Sequence, residues 1–224
     1  MDALDAIRRR RSVRRYTDRP VSDADLDELL RLALLAPTGG MSQAWSIVVV
    51  RDAERRAALA DLVVRGGAEY FATVRPPADG ATPEEHRAWA ARYAAETLGT
   101  YAKVPVWVAM LVVPRPGGLY PTRPREARDA DVISVGFMAE NLFVAARAKG
   151  LGTVPTVFHW FFEDEFRRLL GIPDHLECPV LTPLGYPEEW PRGLPPALAR
   201  IRRPWRTLVH DESWGHPRAV HDPQ

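Results

Sequence analysis

The feature that most constrains the fold is an unbroken apolar run of eight residues, from Val106 to Val113. Proline stands on each side of it, at Pro105 and Pro114. An apolar run of this length, bounded by residues that interrupt regular structure, is typical of a buried strand. It is much shorter than the roughly 20 residues that a membrane helix needs. The sequence therefore predicts a buried β-strand here and no membrane span.

Two segments show the periodicity of helices. The first begins after Ser22, a residue type that favours helix N-caps, and its apolar residues recur every three or four positions as far as Leu34. The second covers residues 129–149 and is apolar on most of its faces, which indicates a central, buried helix. Gly150 follows it, where helices commonly end in glycine.

The remaining elements complete a mixed pattern. Further helices are predicted over residues 3–10, 53–64, 83–101 and 163–170, and strands over 45–50, 153–157, 180–184 and 207–210. Because these elements follow no strict strand–helix–strand alternation, the predicted class is α+β. Residues 1–224 are interpreted as a single domain, in which 65–103 is an insertion or lid and 187–224 is a proline-rich C-terminal extension.

The cysteine content and the absence of several short motifs exclude some classes of protein. Cys178 is the only cysteine, so the chain has no internal disulfide, no CxxC redox pair and no thiolate metal cluster. The sequence contains no glycine-rich dinucleotide or P-loop signature and no HExxH or GxSxG motif. The first residues carry aspartates and arginines without an apolar signal core, which predicts a cytoplasmic protein.

Two weaker groupings of residues are open to more than one interpretation. His159 and Glu163 lie four residues apart, and His175, Glu177 and Cys178 cluster, but neither spacing matches a closed zinc site. Ordinary packing or surface roles are favoured, and no metal is predicted. Four aromatic residues could form either part of the core or a pocket for a planar ligand: Trp89, Tyr93, Tyr101 and Trp107.

Positive charge is concentrated at the two ends of the chain. The formal net charge is +1, but residues 1–19 carry +4 and residues 190–209 carry +5, so the rest carries −8. If the ends meet, they form a basic site that suits a small anion such as a phosphate, whereas the acidic remainder would repel a nucleic acid. Within the first end, Arg10, Ser12 and Arg14 place two guanidinium groups and a hydroxyl within reach of one anion.

A series of short motifs runs through the chain in a fixed order. They are RRSVR at 10–14, APTGGMSQAW at 36–45, GLGT at 150–153, LLGIP at 169–173, LGYP at 184–187, RIRRP at 200–204, and Val209-His210 with Trp214-Gly215. Each motif is weak alone, but the ordered set resembles the FMN-dependent nitroreductase family over residues 5–215. The resemblance implies a central, mostly antiparallel sheet flanked by helices, with a C-terminal extension that wraps around a partner subunit.

The resemblance also implies a set of cofactor-binding residues. It places Arg10, Ser12 and Arg14 on the FMN phosphate from one end of the chain, and Arg200 and Arg202 from the other. The remaining implied contacts are Arg11 near the phosphate or ribityl chain, Thr38, Gly39, Gly40, Met41 and Gln43 beside the isoalloxazine ring, and backbone groups of Pro155 and Thr156 near its reactive edge. Because the flavin carries the chemistry, no catalytic side chain is expected.

Two positions depart from the family's turn. Met41 stands where the family has asparagine, and Ala44 where it has proline. The family's asparagine amide bonds to the pyrimidine edge of the flavin, whereas a thioether is only a weak acceptor. The lost hydrogen bond is worth about 0.5–1.5 kcal/mol, which the five phosphate-facing groups should outweigh. FMN is therefore still expected to bind, and the departures bear on flavin reactivity and substrate choice.

The implied activity is hydride transfer from NAD(P)H through FMN to a small organic acceptor, such as a nitroaromatic, a quinone or an enone-like compound. Three alternatives stay open: a flavin-dependent dehydrogenase or biosynthetic tailoring enzyme that passes electrons to oxygen, a non-catalytic flavin-binding protein, and a nucleic-acid-binding module. The favoured interpretation expects a homodimer with neither nucleic acid nor membrane as a partner. A dimer would also bury the large aromatic side chains of the tail: Trp190, Trp205 and Trp214.

Overall fold

The apolar run forms the central strand of a four-stranded sheet. In the computed structural model, which describes residues 1–115, 122–193 and 196–219, strand β2 (Val106–Val112) lies between β1 (Trp45–Val50) and β4 (Glu177–Gly185). The short strand β3 (Gly152–Thr153) pairs with the other edge of β4. All three pairings are antiparallel, and every residue of β2 is buried. The predicted central antiparallel sheet is confirmed.

The side chains of β2 divide between two hydrophobic cores. Trp107, Ala109 and Leu111 belong to one core, and Val106, Val108, Met110 and Val112 belong to the other. Successive residues of a strand point to opposite faces, so a run without polar residues needs cover on both sides. Helices α3 (Ala53–Val74) and α4 (Pro83–Leu98) contribute to the first core. Helices α2 (Asp23–Ala33) and α5 (Pro124–Ala148) contribute to the second, and the α+β class is confirmed.

Three shorter helices complete the described part of the chain. They are α1 (Ala3–Arg9), α6 (Glu163–Leu170) and α7 (Pro196–Ile201). The chain divides after Trp190 into two compact units, and α7 belongs to the second. No helix of the described ranges is both long and apolar enough to cross a membrane.

Two predicted strands are largely replaced by other structure. In place of the strand at 207–210, Trp205–Thr207 forms a 3-10 turn, and only His210 makes an isolated bridge, to Pro217. The strand at 153–157 pairs regularly only through Gly152 and Thr153, because Pro155 has no N–H to continue the ladder.

The paired glycines at 66 and 67 do not interrupt helix α3, which continues to Val74 rather than ending at 64. They allow another segment to approach the helix: a Cβ atom on Gly66 would lie 2.0 Å from the carbonyl oxygen of Phe158. A Cβ atom on Gly67 would lie 2.6 Å from Cδ1 of Leu98. The glycines therefore serve packing. The role of 65–103 as an insertion or lid stays a prediction.

We expect Gly66→Ala to lower the free energy of unfolding by about 1–3 kcal/mol, because the added methyl group overlaps a backbone carbonyl. The matched control is Gly99→Ala. Gly99 is exposed, has ordinary helical dihedral angles, and offers open space to a Cβ atom. The control should change stability by less than about 1 kcal/mol. Urea denaturation measures both, and equal effects would contradict the packing role of Gly66.

Candidate functional site

Residues 10–14, called here the N-terminal arm, are fixed beside strand β3. Ser12 forms a parallel bridge with Thr153, and the N–H of Val13 donates to the carbonyl of Thr153 at 3.1 Å. Val13 packs so closely on Gly152 that a Cβ atom there would lie 2.6 Å from Cγ2 of Val13. Gly152, the second glycine of the GLGT motif, is therefore required for the arm to reach its position.

Further hydrogen bonds hold the arm on its other flank. The hydroxyl of the buried Tyr16 donates to the carbonyl of Val13 at 2.9 Å. The hydroxyl of Thr100 donates to the carbonyl of Arg14 at 3.2 Å, and the N–H of Tyr16 donates to that hydroxyl at 3.1 Å. Burial raises the pKa of Tyr16 well above its usual value, so this phenol stays protonated and keeps donating. The arm is thus anchored by its backbone, which leaves its polar side chains available.

The side chains of the arm alternate between two faces. In an extended segment, Arg10, Ser12 and Arg14 share one face, and the buried Val13 marks the other. Arg10 pairs with the exposed Glu140 at 3.4 Å, a contact worth at most about 1 kcal/mol. A phosphate could displace so weak a pair. Binding of a phosphate by Arg10, Ser12 and Arg14 stays a prediction.

Arg11 has a different environment from its neighbours in the arm. It alternates with Ser12 and so lies on the same side as Val13. Its Nη1 donates to the carbonyls of Arg8 at 2.8 Å and Arg10 at 2.7 Å, at the end of helix α1. Its role at the phosphate or ribityl chain stays a prediction.

The chain beyond β3 carries the second predicted contact region. The N–H and C=O of Thr156 both bond to Leu181, at 2.8 and 3.3 Å, whereas the carbonyl of the exposed Pro155 accepts no backbone hydrogen bond from the described residues. From Thr153 to Thr156 the chain advances about 10 Å. The structure therefore brings the arm and the Pro155 region together along one strip.

The turn of residues 38–43 has an unusual backbone. Gly39–Met41 form a 3-10 turn, and the N–H of Gln43 donates to the hydroxyl of Thr38 at 3.3 Å. Gly40, Met41 and Gln43 have φ of 52°, 56° and 46°. The left-handed region costs a residue such as methionine about 1–2 kcal/mol, whereas asparagine tolerates it. Met41 is also 73% exposed, so packing against the described residues does little to compensate.

This turn lies at the opposite end of the sheet from the arm. It leads into Trp45, which pairs with Val112 at one end of β2. The arm bonds to Thr153, which pairs with Leu184 opposite Val106 at the other end. The seven residues of β2 separate the two ends by about 20 Å. Within one chain, the structure does not bring the turn to the arm.

The two C-terminal arginines belong to the second compact unit. Arg200 lies in the last turn of α7, and Arg202 follows the helix; both are exposed. Their contact with a phosphate stays a prediction.

The other polar candidates occupy packing or surface positions. Among the described residues, no three His, Cys, Asp or Glu side chains are grouped as metal ligands. His159 is buried, its Nε2 lies 2.9 Å from the carbonyl of Cys178, and burial lowers its pKa to about 4. Burial raises the pKa of Cys178 to about 12, so it carries no thiolate at neutral pH.

The four aromatic candidates, Trp89, Tyr93, Tyr101 and Trp107, do not line one pocket, because Tyr101 and Trp107 lie in the core.

Comparison with known proteins identifies the family. The model of the nitroreductase family matches residues 7–186, which include the arm, the turn and the GLGT strip. The chain belongs to the nitroreductase family. It is therefore an oxidoreductase, and the recognition made from the motifs is confirmed.

Named relatives agree with this assignment. The chain is 32% identical over 209 residues to an NADH dehydrogenase of Thermus thermophilus, covering 84% of this chain and 88% of the relative. It is 29% identical to a 4-nitrobenzoate reductase of a Nocardioides species, covering 83% and 81%. The fold is similar to that of an NADPH:FMN oxidoreductase from Vibrio harveyi, with a TM-score of 0.70, 20% identity, and coverage of 96% and 79%.

We expect the buried His159 to make stability depend on pH. Its pKa is depressed in the folded protein and close to 6.5 in the unfolded one, so stability present above pH 6.5 is lost as the pH falls towards 4. Between pH 7.5 and 5, the loss should be about 2 kcal/mol.

Urea denaturation of two variants at both pH values tests this expectation. His159→Gln keeps an N–H donor for the carbonyl of Cys178 but cannot titrate, so its pH dependence should be shallower than that of the wild type. His175→Gln, at an exposed position, should keep the wild-type dependence. An unchanged slope in His159→Gln would contradict the assignment.

Proposed function

We propose that the chain binds FMN and transfers a hydride from NAD(P)H through it to a small organic acceptor, such as a nitroaromatic, a quinone or an enone-like compound. The observation that carries this proposal is the strip formed by the arm and residues 153–156. It offers phosphate-binding groups at one end and an exposed edge about 10 Å away. Membership of the nitroreductase family, and relatives that include a nitrobenzoate reductase, support it.

Arg10, Ser12 and Arg14 would hold the phosphate of the cofactor. Hydrogen bonds to a charged group contribute about 1.5–3 kcal/mol each, and arginine matches the geometry of a phosphate. Arg200 and Arg202 are proposed to complete this site from the C-terminal extension. Because the backbone of the arm is anchored, the side chains of Arg10, Ser12 and Arg14 need little rearrangement to bind the phosphate.

The turn and Pro155 would position the ring. The bound flavin supplies the capacity to accept and donate a hydride. The side chains of Thr38 and Gln43, with the backbone of Gly39, Gly40 and Met41, are proposed to lie along the ring and to exclude water from it. The carbonyl of Pro155 faces its reactive edge in this proposal.

The residue at position 41 favours a second candidate, a flavin-dependent dehydrogenase or tailoring enzyme that passes electrons to oxygen. The exposed Met41 presents a thioether where the family has an amide. A hydrogen bond lost at the pyrimidine edge would change how readily the flavin accepts and releases electrons.

Anaerobic reduction of the purified protein separates these functions. We expect a yellow protein whose flavin absorbance is bleached by NADH or NADPH and restored by a nitroaromatic or quinone. If flavin is present and neither NADH nor NADPH bleaches it, the reductase is refuted. If an organic donor then reduces the flavin and oxygen reoxidises it, the dehydrogenase is favoured. If nothing reduces the flavin, a non-catalytic flavin-binding protein is favoured.

The separation of the two motifs supports a homodimer, which we propose as the functional assembly. One flavin at the arm would be completed by the turn of a second copy, because the turn of the same chain lies about 20 Å away across the sheet. Two neighbouring helices also expose apolar side chains suited to an interface. These are Leu4 and Ile7 on α1, and Ile133 and Phe137 on α5. The C-terminal extension is proposed to wrap around the partner.

We expect Phe137→Glu to shift the protein from dimer to monomer at micromolar concentration, because a charge would be buried at the interface. The matched control is Val74→Glu, which introduces the same charge at an equally exposed apolar position on α3. Sedimentation velocity reports assembly, and flavin absorbance in the same run reports cofactor. The variant should lose flavin together with the dimer. A wild-type monomer that retains flavin would refute the shared site.

A further inference from the structure

The direction of the Arg14 side chain is set by its backbone. Arg14 is exposed, so packing of the side chain itself does little to hold it. A residue has only two soft backbone dihedrals, and both are fixed when the peptide planes before and after it are fixed. The carbonyls of Val13 and Arg14 belong to those two planes. Each carbonyl accepts a hydrogen bond from a side-chain hydroxyl.

The first hydroxyl belongs to Tyr16 and donates to the carbonyl of Val13 at 2.9 Å. The tyrosine ring is fully buried and lies 5.9 Å from the ring of Tyr101. On another side, a Cβ atom added to Gly185 would lie 3.3 Å from Cδ1 of Tyr16. Because the ring cannot shift without displacing these neighbours, the core holds the peptide plane that precedes Arg14.

The second hydroxyl belongs to Thr100, in the 3-10 turn Gly99–Lys103 that follows helix α4. It donates to the carbonyl of Arg14 at 3.2 Å and accepts from the N–H of Tyr16 at 3.1 Å. In an extended chain these two backbone groups point to the same side, where a neighbouring strand would bond to them. One threonine hydroxyl therefore takes the place of a strand and holds the peptide plane that follows Arg14.

The turn that carries Thr100 is itself held in place. Tyr101 is buried, and its ring lies 5.5 Å from that of Trp107 on β2 in an edge-to-face contact. Lys103, at the other end of the turn, pairs with Glu188 at 3.2 Å. The position of the Thr100 hydroxyl thus depends on the central strand and not on the arm alone.

We propose that Thr100 and Tyr16 are positioning residues for the phosphate end of the cofactor. They act through Arg14, because they set the direction in which its guanidinium projects, and they need not touch the ligand themselves. Binding groups of this kind must be held to within about 0.5 Å of their productive geometry. The inference rests on the proposed function, since it takes Arg14 as a phosphate contact.

The ratio of FMN affinity to riboflavin affinity tests the inference, because the two flavins differ only in the phosphate. Fluorescence titration of the full-length, flavin-free protein measures both affinities. Thr100→Val keeps the shape of the side chain but removes both hydrogen bonds, and we expect it to lower the ratio about fivefold to tenfold. Riboflavin affinity should change less than about twofold. A merely structural role would lower both affinities together and leave the ratio unchanged.

Three further variants accompany Thr100→Val. Thr100→Ser keeps the hydroxyl and should keep the wild-type ratio. The matched control is Thr73→Val, because the hydroxyl of Thr73 also donates to a backbone carbonyl, that of Glu69 at 2.9 Å within helix α3. It too should keep the ratio. Tyr16→Phe removes the bond to Val13 and should lower the ratio as Thr100→Val does. Thr100 is only partly buried, so its variant decides the matter if Tyr16→Phe fails to fold.

Combination with Arg14→Ala shows whether the effect passes through Arg14. Arg14→Ala alone should lower the ratio about tenfold or more, because it removes a hydrogen bond to a charged group. In that background, Thr100→Val should lower the ratio less than about twofold further, since the guanidinium that it positions is gone. Additive losses in the double variant would refute the positioning role.

The other outcomes separate this inference from the proposed function. If Arg14→Ala lowers the ratio and the folded Thr100→Val does not, the positioning role is refuted and the phosphate contact stands. If Thr100→Ser loses as much as Thr100→Val, the hydroxyl is not responsible and the inference is refuted. If FMN binds but Arg14→Ala leaves the ratio unchanged, the inference is refuted although FMN binding stands. A wild-type protein that binds no flavin refutes the proposed function and the inference with it.

Discussion

The burial of strand β2 on both faces is the constraint on which the rest of the first unit depends. With no polar side chain between Val106 and Val112, neither face can meet solvent, so helices must cover both. The sheet is then fixed by pairing on either side of β2. Because β4 pairs with one edge of β2 and carries β3 on its own outer edge, the position of β3 follows. The arm in turn depends on β3, through the contact of Val13 with Gly152.

Much of this arrangement could be predicted because it rests on local patterns. The run at 106–113, the stripe of α2 and the bounds of α6 each follow from periodicity and end signals within one segment. The helix predicted to end at residue 64 continues past the glycines at 66 and 67, because the packing role of Gly66 depends on Phe158, about ninety residues away. The strand expected at 207–210 failed because proline and short-range hydrogen bonds favour a turn there.

The candidate site, too, could be predicted from the sequence only in part. The chemistry of the arm was readable from its residue types, since two arginines and a hydroxyl at alternate positions suit a phosphate. The opposite placement of the turn was not readable, because it depends on strand order and register.

The strain in the turn bears on what completes the site. Met41 and Gln43 both adopt left-handed conformations, which cost non-glycine residues about 1–2 kcal/mol each. Within the described chain, backbone bonds from Met41 to Thr38 at 3.4 Å and from Ser42 to Gly39 at 3.0 Å hold the turn, together with the bond from Gln43 to Thr38 and a long one, 3.5 Å, from Ser42 to Asp131. Strain of this kind persists when surrounding structure enforces it, and it concentrates at ligand contacts. Since the exposed Met41 side chain receives little support from the described residues, the groups that stabilise the turn are best sought in a bound ligand or a second subunit.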